Sequence, residues 1–165
     1  VTYSFNGGVE KPFPGEDRVL VPSQKVATYD LAPEMSASGI ADEVVKAIGG
    51  ADFDLVVVNF ANADMVGHSG KIEPTVRGVE TIDMCLGRIY QALREKGGAM
   101  MITADHGNDP TWIGSDHTRE QTPILCFSPK LSIGTVGLRP TFADIGESIA
   151  HWLGIAPGKH GRSFF

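Results

Sequence analysis

GAMMITADHGN, from Gly98 to Asn108, is the stretch of the sequence that decides the fold. Its first half is an apolar run typical of a buried strand. Its second half places Asp105 and His106 at a glycine turn directly after that strand, and a second pair, Asp116 and His117, follows in the same loop. The stretch therefore predicts a strand that delivers metal-type ligands to one end of a sheet.

Strand-like and helix-like segments alternate on both sides of this stretch. Short apolar runs predict strands at Val1–Phe5, Leu55–Phe60, Ala99–Ala104 and Ile124–Phe127. Apolar residues spaced by three and four predict helices over about 36–48 and 74–96, and a capping box at Thr141 and Asp144 predicts a third over about 142–152. Between them, 9–33 and 61–71 are expected to be loops. This order predicts an α/β fold in which helices cover both faces of a mostly parallel sheet.

The composition limits the classes of function that fit the chain. Its 165 residues suit one domain, and a net charge of −6 without a basic block argues against a nucleic-acid or anionic-membrane surface. The apolar runs are too short to cross a bilayer. Cys85 and Cys126 lie in apolar settings, so we expect reduced thiols in a cytoplasmic protein. The opening VTYSF lacks a methionine, so we expect a part of a longer protein that is incomplete on its N-terminal side.

Carboxylates and imidazoles cluster in the loops that follow the predicted strands. Asp64 and His68 follow Leu55–Phe60, and Asp105 and His106 follow Ala99–Ala104. A single histidine at a strand end is usually structural, but several Asp and His groups at one sheet edge favour Mn²⁺ or Zn²⁺. The candidate metal ligands are therefore Asp64, His68, Asp105, His106 and His117, with Asp116 the weakest further candidate.

Two longer stretches resemble a known family. NFANADMVGH and ITADHGN, together with the opening FNGGVEKPFPGEDRVLVPSQKVATYDLAPEMSA, resemble the cofactor-independent (2,3-bisphosphoglycerate-independent) phosphoglycerate mutases of the alkaline phosphatase superfamily. This resemblance covers residues 1–108. After Asn108, ADHGNDPTWIGSDHTREQTPIL and RPTFADIGESIAHWLGI look more like phosphopentomutase, a relative in the same superfamily. Residues 1–165 as a whole thus resemble the C-terminal part of an alkaline-phosphatase-like domain.

The resemblance implies roles for the ligands. One Mn²⁺ is held by Asp64, His68 and His117, and a second by Asp105 and His106 together with an aspartate and a nucleophilic serine from an upstream segment. The complete enzyme would interconvert 3-phosphoglycerate and 2-phosphoglycerate through a phosphoserine. Substrate-binding residues are not identified in this chain. It would hold most of the metal ligands but no nucleophile, and we expect it to be inactive alone.

Other functions stay open at this point. The substrate is a small phosphorylated metabolite, either a phosphoglycerate or, in a phosphopentomutase, a pentose phosphate. A phosphatase or phosphodiesterase would release free phosphate instead, and a non-catalytic fragment would bind Mn²⁺ weakly or not at all. An exposed sheet edge would favour self-association, so the oligomeric state is also open.

Overall fold

The computed structural model describes residues 2–50 and 52–165 as helices and a small sheet. In chain order the elements are α1 (Thr2–Phe5), a 3₁₀ turn (Tyr29–Leu31), α2 (Ala37–Gly50), α3 (Asn62–Gly67), α4 (Ile72–Glu95), β1 (Met100–Thr103), β2 (Ile124–Phe127) and α5 (Ala143–Trp152). The chain forms two compact units, residues 1–129 and 130–165. The sequence predicted one continuous part of a domain, and this stays a prediction.

The core of the first unit lies between α2 and α4, the two helices whose apolar spacing predicted them. Ala37, Ala41 and Val44 of α2 are buried with Cys85 and Ile89 of α4. Both predictions are confirmed, although α2 runs through Gly49 and Gly50, where we expected it to stop. Small alanines on α2 allow close packing against a neighbouring helix, and α4 begins shortly after α3 in the chain.

The segment Leu55–Phe60 forms no strand in the described residues, so this prediction is wrong. Val58 and Phe60, two residues apart, pack against the core, whereas Leu55, Val56 and Val57 remain 39–45% exposed. A β-branched run becomes a strand only when a neighbour accepts and donates its backbone hydrogen bonds. Within the described residues this run has no such neighbour.

The sheet consists of β1 and β2 and is antiparallel, whereas we predicted a mostly parallel sheet. Met100 pairs with Phe127 and Thr103 with Ile124. The connection over 104–123 contains no helix in the structure. A parallel neighbour requires a crossover of a dozen or more residues, usually helical, so this irregular loop returns the chain as an antiparallel strand.

Two further predictions are corrected near the start of the chain and in the second predicted loop. Thr2–Phe5 is helical rather than a strand, and Val1 lies outside the described residues. The amide of Gly8 donates to the Tyr3 carbonyl at 2.8 Å, because Gly7 and Gly8 take positive φ angles and end the helix. The predicted loop 61–71 contains helix α3, whose six residues are too few for apolar periodicity to predict it.

The second unit is built on α5, which matches the predicted helix. The predicted capping box does not form, because Phe142 is the N-cap and the Thr141 hydroxyl accepts from the Ala143 amide, at 3.2 Å, rather than from that of Asp144. The buried Asp144 carboxylate accepts hydrogen bonds from Arg139 Nε and the Arg162 amide, both at 2.8 Å. None of the helices in the described part of the chain combines the length and hydrophobicity that a bilayer crossing requires.

Candidate metal site

Helix α3 places two of the predicted ligands on one face. Asp64 lies in its first turn, and His68 follows its last residue, with the His68 amide donating to the Asp64 carbonyl at 3.0 Å. Residues four apart in a helix are neighbours on its surface. His68 Nε2 accordingly lies 3.2 Å from Asp64 Oδ1.

The loop after β1 brings His117 to the same place. The Thr118 amide donates to the Gly107 carbonyl at 3.1 Å, and Thr118 Oγ1 accepts from the Asp109 amide at 2.8 Å. These bonds close the loop at its base. A Cβ on Gly107 would displace the flexible end of the Glu120 side chain and lie 3.0 Å from the Thr118 carbonyl oxygen, so the two sides of the loop pass close together at this glycine. His117 Nε2 consequently lies 3.4 Å from Asp64 Oδ1 and 3.2 Å from His68 Nε2.

The three ligand atoms have the mutual spacing that a single metal ion requires. Asp64, His68 and His117 each offer one ligand atom, and these atoms are 3.2 to 3.4 Å apart. Ligands about 2.0–2.1 Å from a tetrahedral ion lie about 3.3–3.4 Å from one another. The two nitrogens and one carboxylate oxygen also suit Zn²⁺ or Mn²⁺ in chemistry. The residues present therefore fit a divalent metal ion.

The site is open to solvent on one side. The side chains of Asp64 and His68 are each 35% exposed, and that of His117 is 47% exposed. Three protein ligands with access from solvent leave room for a water or a substrate oxygen on the metal, which is the arrangement of catalytic rather than structural metal sites.

The other predicted pair, Asp105 and His106, lies beside these three ligands but does not join them. The Asp105 side chain is 93% exposed, and its Oδ1 lies 3.6 Å from His106 Nε2. His106 Nδ1 lies 3.1 Å from the Gly107 carbonyl oxygen, which can only accept a hydrogen bond. A proton on Nδ1 leaves the Nε2 lone pair of the neutral ring free for a metal. The pair therefore presents a carboxylate and a ring nitrogen, two groups of the kinds that bind divalent metals, outside the cluster of Asp64, His68 and His117.

One polar residue of this site was missed by the sequence analysis. The side-chain amide of Asn108 donates to the backbone carbonyl of Asp64 at 3.0 Å and to its Oδ1 at 2.8 Å. The available signals were its position two residues after His106 and its place at the end of the family-like motif ITADHGN. Spacing alone does not distinguish an amide that orients a ligand from one that closes a turn.

Asp116 and two hydroxyls that lie near the ligands in the sequence contribute little to the site. Asp116 is exposed and does not belong to the cluster of Asp64, His68 and His117. Ser69 Oγ accepts from the Lys71 amide at 3.3 Å, and Thr118 Oγ1 is engaged by Asp109. These bonds belong to turns, so they give neither hydroxyl the role of a nucleophile.

Residues 1–157 match the Metalloenzyme superfamily. The chain belongs to this superfamily. The match fits the ligand cluster on α3 and the β1–β2 loop, and it makes the chain part of a metal-dependent protein.

Several relatives of this chain share one name. The chain is 47% identical over 163 residues to the 2,3-bisphosphoglycerate-independent phosphoglycerate mutase of Pseudomonas syringae, covering 94% of this chain and 31% of the relative. It is 43% identical to the Nitrosococcus oceani protein of that name, covering 95% and 31%. A Synechococcus protein of that name is 46% identical, covering 99% and 34%. The chain thus spans about a third of the length of these relatives.

A solved structure agrees with the sequence relatives. A crystal structure of Leishmania mexicana phosphoglycerate mutase at low cobalt concentration matches with a TM-score of 0.87 and 27% identity, covering 99% of this chain and 34% of that one. The predicted α/β, alkaline-phosphatase-like fold class is confirmed. The resemblance to phosphoglycerate mutases also continues past Asn108, where the sequence analysis placed its limit.

Proposed function

We propose that this chain is the metal-binding part of a cofactor-independent phosphoglycerate mutase, an isomerase of glycolysis that acts in the cytoplasm. The observation that carries the proposal is the cluster of Asp64, His68 and His117, whose ligand atoms have the spacing of a single metal site. The names of the relatives, at 43–47% identity, support the same activity. The substrate is a small phosphorylated metabolite, 3-phosphoglycerate or 2-phosphoglycerate.

Two Mn²⁺ ions fit the proposed roles of the ligands. Asp64, His68 and His117 hold the first ion, and Asp105 and His106 contribute to the second. An aspartate and a nucleophilic serine from an upstream segment complete the second site, as the family resemblance implies. When bound, such ions lower the pKa of a hydroxyl and neutralise charge on a transferred phosphoryl group.

The reaction of the complete enzyme would proceed in two balanced transfers. The serine hydroxyl would lose a proton as its oxygen bonds to phosphorus and the bond from phosphorus to the 3-oxygen of phosphoglycerate breaks, and that 3-oxygen would take up a proton to give glycerate. The 2-hydroxyl of glycerate would then lose a proton and take the phosphoryl group from serine, whose oxygen would regain a proton. The residues of this chain would hold and orient the groups around the phosphoryl, and the chain alone would be inactive.

A calorimetric Mn²⁺ titration of the 165-residue chain tests the metal site. We expect one binding event that weakens at least tenfold in both Asp64→Asn and His117→Ala. His160→Ala removes a histidine outside the cluster and should bind as the wild type does. Equal binding by all four proteins would refute the assigned ligands, and no binding by the wild type would favour a non-catalytic fragment.

The substrate requires a second experiment on the chain joined to an upstream segment of a relative. Conversion of 3-phosphoglycerate to 2-phosphoglycerate with Mn²⁺ supports the proposal. The phosphopentomutase-like residues after Asn108 are the reason to assay ribose 1-phosphate in parallel. Isomerisation of the pentose phosphate alone would identify a phosphopentomutase, and release of free phosphate alone would identify a phosphatase.

A further inference from the structure

Asn108 connects the loop after β1 to the first ligand of α3. Its Nδ2 lies 3.0 Å from the Asp64 carbonyl oxygen and 2.8 Å from Asp64 Oδ1. Both acceptors belong to the same residue, so the amide fixes the carboxylate relative to its own backbone. Asp64 is the only carboxylate among the three clustered ligands.

The oxygen that Asn108 contacts is the one that faces the histidines. Asp64 Oδ1 lies 3.2 Å from His68 Nε2 and 3.4 Å from His117 Nε2. A carboxylate rotates about its Cβ–Cγ bond, so an unrestrained Asp64 would present either oxygen in many orientations. Hydrogen bonds from neighbouring groups fix the direction of metal-ligating carboxylates and raise metal affinity.

Of the two possible orientations of the Asn108 amide, only the one with its nitrogen toward Asp64 makes both contacts. The NH₂ group has two protons, one for each acceptor oxygen. The opposite orientation would set the Asn108 oxygen against two oxygens that cannot donate. An ionised aspartate at this position would offer no donor at all.

Gly67 provides the space in which the amide lies. This buried residue is the last of α3, and a Cβ built on it would lie 3.3 Å from both Cγ and Nδ2 of Asn108. Such a separation is closer than ordinary van der Waals contact, so an alanine would displace the amide by a few tenths of an ångström. Asn108 and Gly67 are therefore two parts of one contact.

We propose that Asn108, seated against Gly67, is a positioning residue that holds Asp64 Oδ1 toward the metal-binding nitrogens of His68 and His117. The inference rests on the proposed metal site and adds to it a residue outside the ligand set. Asn108 is not one of the three clustered ligands. It acts through Asp64.

A double-mutant cycle read by Co²⁺ binding tests this role. The 165-residue chain, Asn108→Ala, Gly67→Ala and the double variant are titrated with Co²⁺, with the visible absorption bands reporting coordination geometry. We expect each single variant to bind about 10- to 100-fold more weakly, with altered bands. We expect the double variant to match Asn108→Ala, because both substitutions remove the same contact.

Thermal unfolding of the metal-free proteins separates positioning from folding. Alanine favours a helix more than glycine, so Gly67→Ala should keep or raise the melting temperature while it weakens Co²⁺ binding. A merely structural role would lower both together. Asn6→Ala is the matched control, because it removes another amide-to-carboxylate bond, 2.9 Å to Glu16 Oε2, and should leave Co²⁺ affinity unchanged.

The outcomes distinguish this inference from the proposed function. Co²⁺ binding by the wild type with less than a twofold change in Asn108→Ala would overturn the role of Asn108 and leave the metal site standing. Additive losses in the double variant would overturn the coupling to Gly67. Absence of Co²⁺ binding by the wild type would overturn the metal site and this role with it. If Asn108→Ala did not fold, Gly67→Ala alone would decide.

Discussion

The imidazole rings of His106 and His117 are stacked, with centroids 3.6 Å apart and planes 11° from parallel. His117 is a ligand candidate of the first metal site, whereas His106 was predicted to serve the second. The stack fixes the plane of His117, while the Gly107 carbonyl, 3.1 Å from His106 Nδ1, fixes the plane of His106. One ring therefore orients the other, and the stack connects a ligand of the first proposed metal site to a ligand proposed for the second.

Two substitutions at His106 separate its packing role from its ligand role. His106→Phe keeps a flat ring against His117 but removes Nε2, and His106→Ala removes both. Ring stacking contributes about 0.5–1.5 kcal/mol, so His106→Ala should weaken the first Mn²⁺ site about 2- to 12-fold. His106→Phe should leave that site within about twofold of the wild type in a calorimetric titration.

The control for this pair is His151→Phe, which replaces a histidine of the second unit and should not change Mn²⁺ affinity. Equal losses in His106→Phe and His106→Ala would contradict the packing role. They would mean that His106 Nε2 itself serves the first ion.

The long helices could be predicted from the sequence because their apolar residues recur over several turns. The α4 residues Cys85 and Ile89 are buried four apart, which is the spacing that periodicity detects. Helix α3 was missed because its six residues make fewer than two turns. The run at 55–60 was predicted as a strand from its β-branched composition, but pairing depends on a neighbouring strand that no local pattern specifies.

In the site, too, residues close together in the sequence were easier to predict than contacts between residues far apart in the sequence. Asp64 and His68 were selected because they follow the apolar run 55–60, which forms no strand in the described residues. Their separation of four residues nevertheless places them together on α3. The approach of His117 was implied only by family resemblance, since it depends on how the 105–117 loop closes at Gly107 and Thr118. Asn108 was missed because its partner, Asp64, lies 44 residues away in the sequence.

Asn62 anchors the start of α3, and its removal should destabilise the fold. Its side chain is 1% exposed, and Nδ2 donates to the carbonyls of Pro33 and Glu34 at 2.7 and 2.9 Å. Those carbonyls precede Met35, which has a positive φ of 46°. Asn62→Ala would remove the donor from the buried Pro33 carbonyl, whereas the Glu34 carbonyl would keep its bond from the Ala37 amide at 3.2 Å. The loss at Pro33 should cost about 1–3 kcal/mol in the free energy of unfolding.

Urea denaturation of the metal-free chain measures this cost. The exposed Asn59 provides the control, since Asn59→Ala should change the unfolding free energy by less than about 0.5 kcal/mol. Similar unfolding midpoints for Asn62→Ala and the wild type would show that water replaces the lost hydrogen bonds and that Asn62 is not an anchor.

The ion pair between Lys71 and Asp30 should make stability depend on pH. Asp30 is 7% exposed, and the hydrogen bond from Lys71 Nζ is the main cause that lowers the pKa of this carboxyl below its ordinary 3.8. A lowered pKa stabilises the fold above pH 3.8, and this stabilisation is lost as the pH falls through the lower folded value. Lys71→Met should therefore be clearly less stable at pH 7, with the difference shrinking as the pH falls below 3.8.

Urea midpoints at neutral and acidic pH provide the measurement. Lys46→Met is the control, because Lys46 forms an exposed pair with Glu43 at 3.5 Å and should show little difference at any pH. A constant difference between Lys71→Met and the wild type across the acidic range would mean that Lys71 acts through packing of its aliphatic stem rather than through Asp30.

Glu16 organises the loop that follows α1. Its carboxylate should stay ionised at a lower pH than that of an ordinary glutamate. Its carboxylate accepts hydrogen bonds from Arg18 Nε, from the Phe13 amide at 2.9 Å and from Asn6 Nδ2 at 2.9 Å. With the Arg18 hydrogen bond as the largest cause, the pKa of Glu16 falls from 4.5 to about 2. The loop contacts are therefore complete above pH 4.5 and are lost as the pH falls toward 2.

Carboxyl ¹³C chemical shifts test this directly while the protein is still folded. At about pH 3.5 the Glu16 carboxyl should remain ionised, whereas an ordinary glutamate with a pKa of about 4.3 is mostly protonated. Arg18→Met should move the Glu16 midpoint upward, and Glu10→Gln, which leaves the Arg18 side chain in place, should not. A Glu16 midpoint near 4.5 in the wild type would show that Arg18 does not hold the carboxylate in solution, and that the 6–18 loop is organised by its prolines and glycines instead.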